Sequence, residues 1–127
     1  MEPRTILIAD RHTHVVNALM QRLRSAGFLV ATANDGAEAL SLAIALQPDA
    51  ILVDYQMPGL SGPELCVFLA RDAATRNIPV VLLAPEGVDA SSVAATSNNV
   101  ACVLEKPLQP QVVLKTVQGL LVEHVIV

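Results

Sequence analysis

Short apolar runs recur along the chain, and five of them have the length of a strand. They cover residues 5–9, 28–33, 50–54, 78–84 and 100–104. Each run is apolar on successive residues instead of alternating with polar ones, which is typical of strands buried on both faces of a parallel sheet. The pattern therefore predicts five buried strands.

The segments between the runs carry apolar residues at helical spacing. The first has Val16, Leu19 and Leu23 on one face and reaches Gly27, a residue favoured just after a helix. Residues that favour helix ends bound the other segments: Asp35-Gly36, Pro48, Pro63 and Pro110. Residues 89–97, rich in Ser, Thr and Ala, have the least regular pattern, and we assign a helix there on the alternation alone.

Alternating strands and helices predict an α/β fold, in which helices cover both faces of a doubly wound parallel sheet. A chain of 127 residues fits one domain, spanning residues 1–127. No apolar stretch approaches the roughly 18 residues of a spanning helix, and no signal peptide precedes the first strand. We therefore expect no membrane segment and a cytoplasmic location.

Composition changes this picture in two ways. Charged residues make up 16% of the chain, against about 25% in typical soluble domains, so a covered partner face is expected. The net charge of -4 and the presence of only two lysines argue against direct binding to nucleic acid. Cys66 and Cys102 lie inside apolar segments, where a cysteine usually acts as a small buried hydrophobic residue and not as a disulfide partner.

Four positions at the ends of strands stand out as candidate site residues. Asp10, Asp54 and Ala84 each end or directly follow a different apolar run, and Lys106 lies two residues after another. In doubly wound sheets, ligands bind outside the carboxyl ends of the strands, where the strand order reverses. The sequence thus predicts that these four positions gather at one edge of the sheet.

The residue types at that edge suit phosphoryl transfer to a carboxylate. An aspartate can act as a nucleophile and form an aspartyl-phosphate. The charge on the phosphoryl oxygens is commonly balanced by Mg²⁺, held by one or two carboxylates, and by a lysine. Asp54 would be the nucleophile, with Asp10 and Lys106 beside it.

These residues, together with the Met57-Pro58-Gly59 turn, Gly62 and the Lys106-Pro107 pair, resemble the receiver domain of bacterial two-component response regulators. The resemblance implies a flavodoxin-like (βα)5 fold with strand order 2-1-3-4-5 and a cis Lys106-Pro107 bond. It also implies Asp54 as the phosphoacceptor, Lys106 as the phosphoryl-binding residue, and Mg²⁺ held by Asp10, Asp54 and the main-chain carbonyl of Gln56. The implied partner is a histidine kinase or a phosphotransfer protein.

Three positions depart from the family pattern. Arg11 stands where the family has a second acidic metal ligand, and a guanidinium has no lone pair to offer a metal. The resemblance therefore implies a weakened Mg²⁺ site. Two interpretations of Arg11 stay open: it replaces the metal beside Asp10 and Asp54, or it turns outward to solvent. Ala84 and Val103 stand at the two switch positions, where the family has a hydroxyl residue and an aromatic residue.

Those substitutions favour a second hypothesis, a pseudo-receiver that binds a partner or a second copy of itself without phosphorylation. An independent enzyme fits least, because haloacid-dehalogenase-type phosphatases need a second aspartate where this chain has Gln56. His12 and His14 are expected to be exposed at the start of a helix; a metal role together with Asp10 is the alternative.

The last helix gives the clue to a partner. Val113, Val117, Leu120 and Leu121 suffice for the face that packs on the sheet. Leu114, Val122 and residues 125–127 are expected to add an apolar surface outside that face. By the resemblance, the fourth helix, fifth strand and fifth helix would form a homodimer face.

Overall fold

The computed structural model describes residues 3–95 and 97–122, which form a five-stranded parallel sheet between two layers of helices. The strands are β1 (Thr5–Ala9), β2 (Leu29–Ala33), β3 (Ala50–Asp54), β4 (Val80–Ala84) and β5 (Val100–Glu105). The helices are α1 (Thr13–Ser25), α2 (Gly36–Leu46), α3 (Gly62–Arg71), α4 (Ala90–Ala94) and α5 (Pro110–Leu120). The strand order β2-β1-β3-β4-β5 confirms the predicted doubly wound fold.

Side chains on successive strand residues enter two separate cores. Ile6 and Ile8 of β1 pack in the cluster shared with α1 and α5. Leu7 and Ala9 pack in the opposite cluster, shared with α2 and α3. All four are buried, which explains why the run is apolar without alternation: full burial of one Leu or Ile contributes about 1.5–3 kcal/mol.

Side-chain caps fix where two of the helices begin. Asp35 accepts a 2.8 Å hydrogen bond from the backbone N–H of Glu38 at the start of α2, as its predicted cap role requires. Ser61 and Glu64 form a reciprocal capping box at the start of α3, with Pro63 in the first turn. α3 therefore begins at a fixed point just after the loop that follows β3.

Helix α4 is shorter than the predicted 89–97 segment. At its start, the Asp89 carboxylate accepts hydrogen bonds from the hydroxyl and the backbone N–H of Ser91. Beyond its end, Asn99 is buried and its side-chain amide donates to the Cys66 carbonyl of α3 at 3.1 Å. This hydrogen bond ties the chain after α4 to α3, and α4 ends at Ala94 instead of continuing to residue 97.

Helix α5 corrects one prediction. Leu114 was expected outside the core-facing stripe, but it is 3% exposed and packs in the same cluster as Leu19 and Leu23 of α1. The second apolar face of α5 is covered by α1, and Arg22 of α1 also donates a 2.8 Å hydrogen bond to the Gln111 side chain. Residues 125–127 lie outside the described part of the chain.

The start of the sheet and the end of α5 meet on this side of the fold. Arg4, just before β1, donates a hydrogen bond from its guanidinium to the Leu121 carbonyl at the end of α5. Val122, next in the chain, is 61% exposed. Among the described residues no helix is both long and apolar enough to cross a membrane.

Two substitutions test the corrected placement of Leu114. Leu114→Glu should unfold the protein or sharply lower its free energy of unfolding, because an unpaired carboxylate would enter an apolar core. Val122→Glu, at an exposed position, should change the free energy of unfolding by less than about 0.5 kcal/mol. Urea denaturation followed by circular dichroism gives both values. Equal stability of the two variants would contradict the placement.

The two cysteines differ in burial, and both remain free thiols. Burial raises the pKa of the Cys66 thiol to about 12. Burial also raises the pKa of the half-buried Cys102, although a backbone hydrogen bond from Val103 opposes the rise. Because the folded pKa of Cys66 lies above its ordinary value of 9.0, the stability that its neutral thiol contributes is complete below that value and is lost as the pH rises toward about 12.

This difference predicts the order of thiol modification. At pH 8, iodoacetamide should alkylate Cys102 first, because the thiolate is the reactive form and Cys66 is both inaccessible and protonated. Cys66 should react only as the protein unfolds. Intact mass against time, in buffer and in urea, measures both rates; simultaneous labelling in buffer would contradict the predicted burial of Cys66.

Candidate functional site

Strand register places two carboxylates side by side. Ala9 of β1 pairs with Val53 of β3, so Asp10 and Asp54 are the next residues along these neighbouring strands. Asp10 is 1% exposed and Asp54 is 0% exposed. They lie where the strand order reverses between β1 and β3, which is the predicted crevice.

The third strand end brings a lysine to the same place. Lys106 directly follows β5, and its Nζ lies 2.8 Å from Asp54 Oδ1. Its backbone N–H donates to the Ala84 carbonyl at 2.8 Å, so Ala84 also lies at this edge. The bond between Lys106 and Pro107 is cis, as the resemblance implies. All four predicted strand-end positions therefore meet at one edge of the sheet.

His12 takes a position at the site that the sequence did not favour. Its backbone N–H donates to Asp10 Oδ1 at 2.8 Å, and its ring Nδ1 lies 3.0 Å from the same oxygen. Nδ1 also lies 3.7 Å from Asp54 Oδ2. The His12 side chain is 38% exposed, so it covers the carboxylates on one side and meets solvent on the other. The expectation of an exposed surface residue holds for His14 only.

Arg11 turns away from the two carboxylates. It is exposed, and it makes no ion pair with any residue in ranges 3–95 and 97–122. Of the two interpretations left open by the sequence, the outward one describes this structure. The group that approaches both carboxylates is the imidazole of His12, one residue further along the chain.

Each of the two aspartates keeps one buried oxygen without a hydrogen-bond partner among the described residues, namely Asp10 Oδ2 and Asp54 Oδ2. At the 4.8 Å limit within which the candidate ligand atoms of this cluster lie, two carboxylates repel each other by roughly 3 kcal/mol at an effective dielectric near 20. A divalent cation would bind the unpaired oxygens and would reduce the repulsion between the two carboxylates. Receiver domains commonly bind Mg²⁺ in an acidic pocket of this kind.

The loop after Asp54 is fixed by glycines. A Cβ added at Gly62 would lie 2.4 Å from the Asp54 carbonyl oxygen, a distance that no side chain tolerates. Gly62 also donates its N–H to the Tyr55 carbonyl at 3.0 Å. Gly59 has a φ of 77°, in the region that favours glycine. α3 can therefore start directly against the backbone of Asp54, with the Gln56 side chain exposed in the loop between them.

Ala84 and Val103, the two predicted switch positions, lie in the sheet. Ala84 is buried at the end of β4, and its methyl group offers no hydrogen bond to the site. Val103 is half-buried against the cluster shared with α2 and α3. The loop after β4 is instead tied to the end of β5, because the Glu105 side chain accepts a 3.3 Å hydrogen bond from the Gly87 N–H. Sequence reasoning missed Glu105, which has only its position beside Lys106 as a signal.

Comparison with known proteins identifies the family. The family model described as the response regulator receiver domain matches residues 6–118. The chain belongs to this family. RpaA of Synechocystis, a DNA-binding dual master transcriptional regulator, is 33% identical over 116 residues, which are 91% of this chain and 48% of RpaA. The chain therefore spans about half the length of that relative.

Two further relatives match the receiver over nearly their whole length. Protein PilH of Pseudomonas aeruginosa is 31% identical over 91% of this chain and 96% of PilH. The crystallised chemotaxis protein CheY4 of Vibrio cholerae has a TM-score of 0.85 and 27% identity, covering 94% of this receiver and 100% of that chain. The receiver fold is thus shared with proteins of similar size.

The ion pair between Lys106 and Asp54 leads to a stability prediction. Lys106→Met should lower the free energy of unfolding by about 2–4 kcal/mol, because the buried Asp54 carboxylate would lose its ion-pair partner. Lys115→Met, at an exposed position on α5, is the matched control and should change it little. Urea denaturation at neutral pH gives both values. An unchanged free energy of unfolding in Lys106→Met would contradict a stabilising role for this ion pair.

Proposed function

We propose that this receiver domain accepts a phosphoryl group on Asp54. The observation that carries the proposal is the geometry around Asp54: its carboxylate is buried, paired with Lys106 at 2.8 Å, and adjacent to a second buried carboxylate. A nucleophilic aspartate needs this protection from bulk water together with a nearby cation for the incoming phosphoryl oxygens.

The proposed step is a direct displacement at phosphorus. A carboxylate oxygen of Asp54 attacks the phosphorus of a phosphoimidazole or acyl phosphate donor, and a new O–P bond forms as the bond to the leaving group breaks. The leaving imidazole keeps the electron pair of the broken P–N bond, and its other ring nitrogen keeps its proton. Lys106 then balances charge on a phosphoryl oxygen. A cation held by Asp10, Asp54 and the Gln56 carbonyl would add charge balance when bound.

The proposed donor is a phosphohistidine on a histidine kinase or a phosphotransfer protein. Members of the family interact with such proteins, and the partially exposed His12 and Lys106 side chains mark the open side of the site. Residues 1–127 are proposed to act as one receiver domain, whose catalysis is limited to its own phosphorylation and dephosphorylation.

Ala84 favours a second candidate function. Without a hydroxyl at Ala84 and an aromatic ring at Val103, a phosphoryl group on Asp54 has no side chain in β4 or β5 that could report it in the family's usual way. The domain would then act as a pseudo-receiver that binds a second copy of itself without phosphorylation. Val112 of α5 is an exposed apolar residue beside Leu104 and Glu105 of β5, and it is available to such a face of α4, β5 and α5.

Incubation with acetyl phosphate, followed by intact mass measurement, tests the first function. The expected result is a gain of one phosphoryl group that Asp54→Asn abolishes and Asp89→Asn, which alters an exposed carboxylate, preserves. Lys106→Met should slow the gain by about 100-fold or more, since it removes the charge that stabilises the transition state.

Sedimentation of the same samples separates the two functions. A dimer that forms equally in wild type and Asp54→Asn, without any mass gain, would support the pseudo-receiver. A mass gain located on a residue other than Asp54 would contradict the first function, and the absence of any dimer in either sample would contradict the second.

A further inference from the structure

The imidazole beside the two aspartates changes the kind of metal that this pocket suits. Asp10, His12 and Asp54 each offer one ligand atom, and all of these atoms lie within 4.8 Å of one another. The family's pocket is an oxygen site for Mg²⁺, whereas this one presents two carboxylates and a ring nitrogen. We propose that Asp10, His12 and Asp54 form a site for a transition-metal dication such as Zn²⁺, Co²⁺ or Mn²⁺, which binds in preference to Mg²⁺.

The distances match those between neighbouring ligands of one small ion. Zinc bonds of about 2.0–2.1 Å put two ligands about 3.0 Å apart at a right angle and about 3.4 Å apart at a tetrahedral angle. His12 Nδ1 lies 3.0 Å from Asp10 Oδ1 and 3.7 Å from Asp54 Oδ2. A shift of the partly exposed His12 ring by a few tenths of an ångström would bring its Nδ1 to the same spacing from Asp54 Oδ2.

The unpaired oxygens are the second observation that points to a ligand. Asp10 Oδ2 and Asp54 Oδ2 are buried and have no hydrogen-bond partner among the described residues, although nearly all buried polar atoms in proteins have one. Lys106 satisfies the other oxygen of Asp54, and His12 satisfies the other oxygen of Asp10. The vacant lone pairs thus belong to the same two side chains that flank the imidazole.

The ligand set favours transition metals over Mg²⁺. Mg²⁺ prefers six oxygen ligands in near-ideal octahedral geometry, and Arg11 has removed one carboxylate from that set. Imidazole nitrogen binds Zn²⁺, Co²⁺ and related ions well, with affinity rising from Mn²⁺ toward Cu²⁺. The exposed charge of Arg11 opposes every dication alike, so it does not restore the preference for Mg²⁺. This inference goes beyond the proposed function, because metal binding by the free Asp54 carboxylate does not require that Asp54 accept a phosphoryl group.

Titration calorimetry on metal-stripped, tag-free protein tests the proposal directly, with Mg²⁺, Mn²⁺, Co²⁺ and Zn²⁺ as separate probes. We expect one equivalent of Co²⁺ or Zn²⁺ to bind about tenfold or more tightly than Mg²⁺. His12→Ala should weaken Co²⁺ binding by about tenfold or more and leave Mg²⁺ binding nearly unchanged, because only the former uses the nitrogen. His14→Ala, an exposed neighbour, is the matched control and should retain Co²⁺ affinity. The visible absorption of bound Co²⁺ should change with His12→Ala only.

Arg11→Asp provides a second variant that does not depend on truncating His12. It supplies the missing carboxylate, so Mg²⁺ affinity should rise and the Co²⁺ to Mg²⁺ preference should fall. The proposal is overturned if wild type binds Mg²⁺ as tightly as Co²⁺, or if His12→Ala and His14→Ala weaken Co²⁺ equally. Metal binding is measured without a phosphodonor, so it is independent of phosphorylation. Phosphorylation of Asp54 in a protein with no preference for Co²⁺ over Mg²⁺ would overturn only the proposed metal site. Tight Co²⁺ binding in a protein that acetyl phosphate does not phosphorylate would overturn only the proposed function.

Discussion

Two carboxylates buried next to each other are the constraint around which this molecule is arranged. Asp10 and Asp54 are brought together by the pairing of β1 with β3, and burial denies them the water that would screen their repulsion. Lys106 reaches Asp54 from β5, and His12 reaches Asp10 from the start of α1. The site is therefore a local cost in folding free energy that the apolar cores on both faces of the sheet offset.

The surrounding backbone holds this arrangement rigidly. The Asp54 carbonyl packs against Gly62 at the start of α3, and the Ala84 carbonyl accepts the backbone N–H of Lys106. Both contacts join neighbouring elements through main-chain atoms, which any sequence supplies, except that position 62 must lack a side chain. Rigid placement of charged groups of this kind is what stabilises a transition state without reorganisation.

The strands and the meeting of Asp10, Asp54, Ala84 and Lys106 followed from sequence, because strand ends in a parallel sheet share one edge. The strand order followed from the resemblance to receiver domains. What failed to follow was side-chain direction. Arg11 and His12 are adjacent at the start of a helix, and only the turn of the backbone decides which one faces the carboxylates. Leu114 was misplaced for a similar reason, since helical spacing does not reveal that α1 covers the second apolar face of α5. Asn99 and Glu105 act through long-range hydrogen bonds that leave no periodic signal.

The hydrogen bond from Arg4 to the Leu121 carbonyl has a consequence for how the domain can be joined to others. Because residues 4 and 121 touch, the start of β1 and the end of α5 lie close together. A receiver closed in this way can be inserted into a surface loop of a host protein, or permuted through a short linker, without stretching β1 or α5. If residues 4 and 121 are joined by a linker, the chain can be opened elsewhere, for example between α3 and β4. The new ends then lie at the amino ends of the strands, on the side of the sheet opposite Asp54.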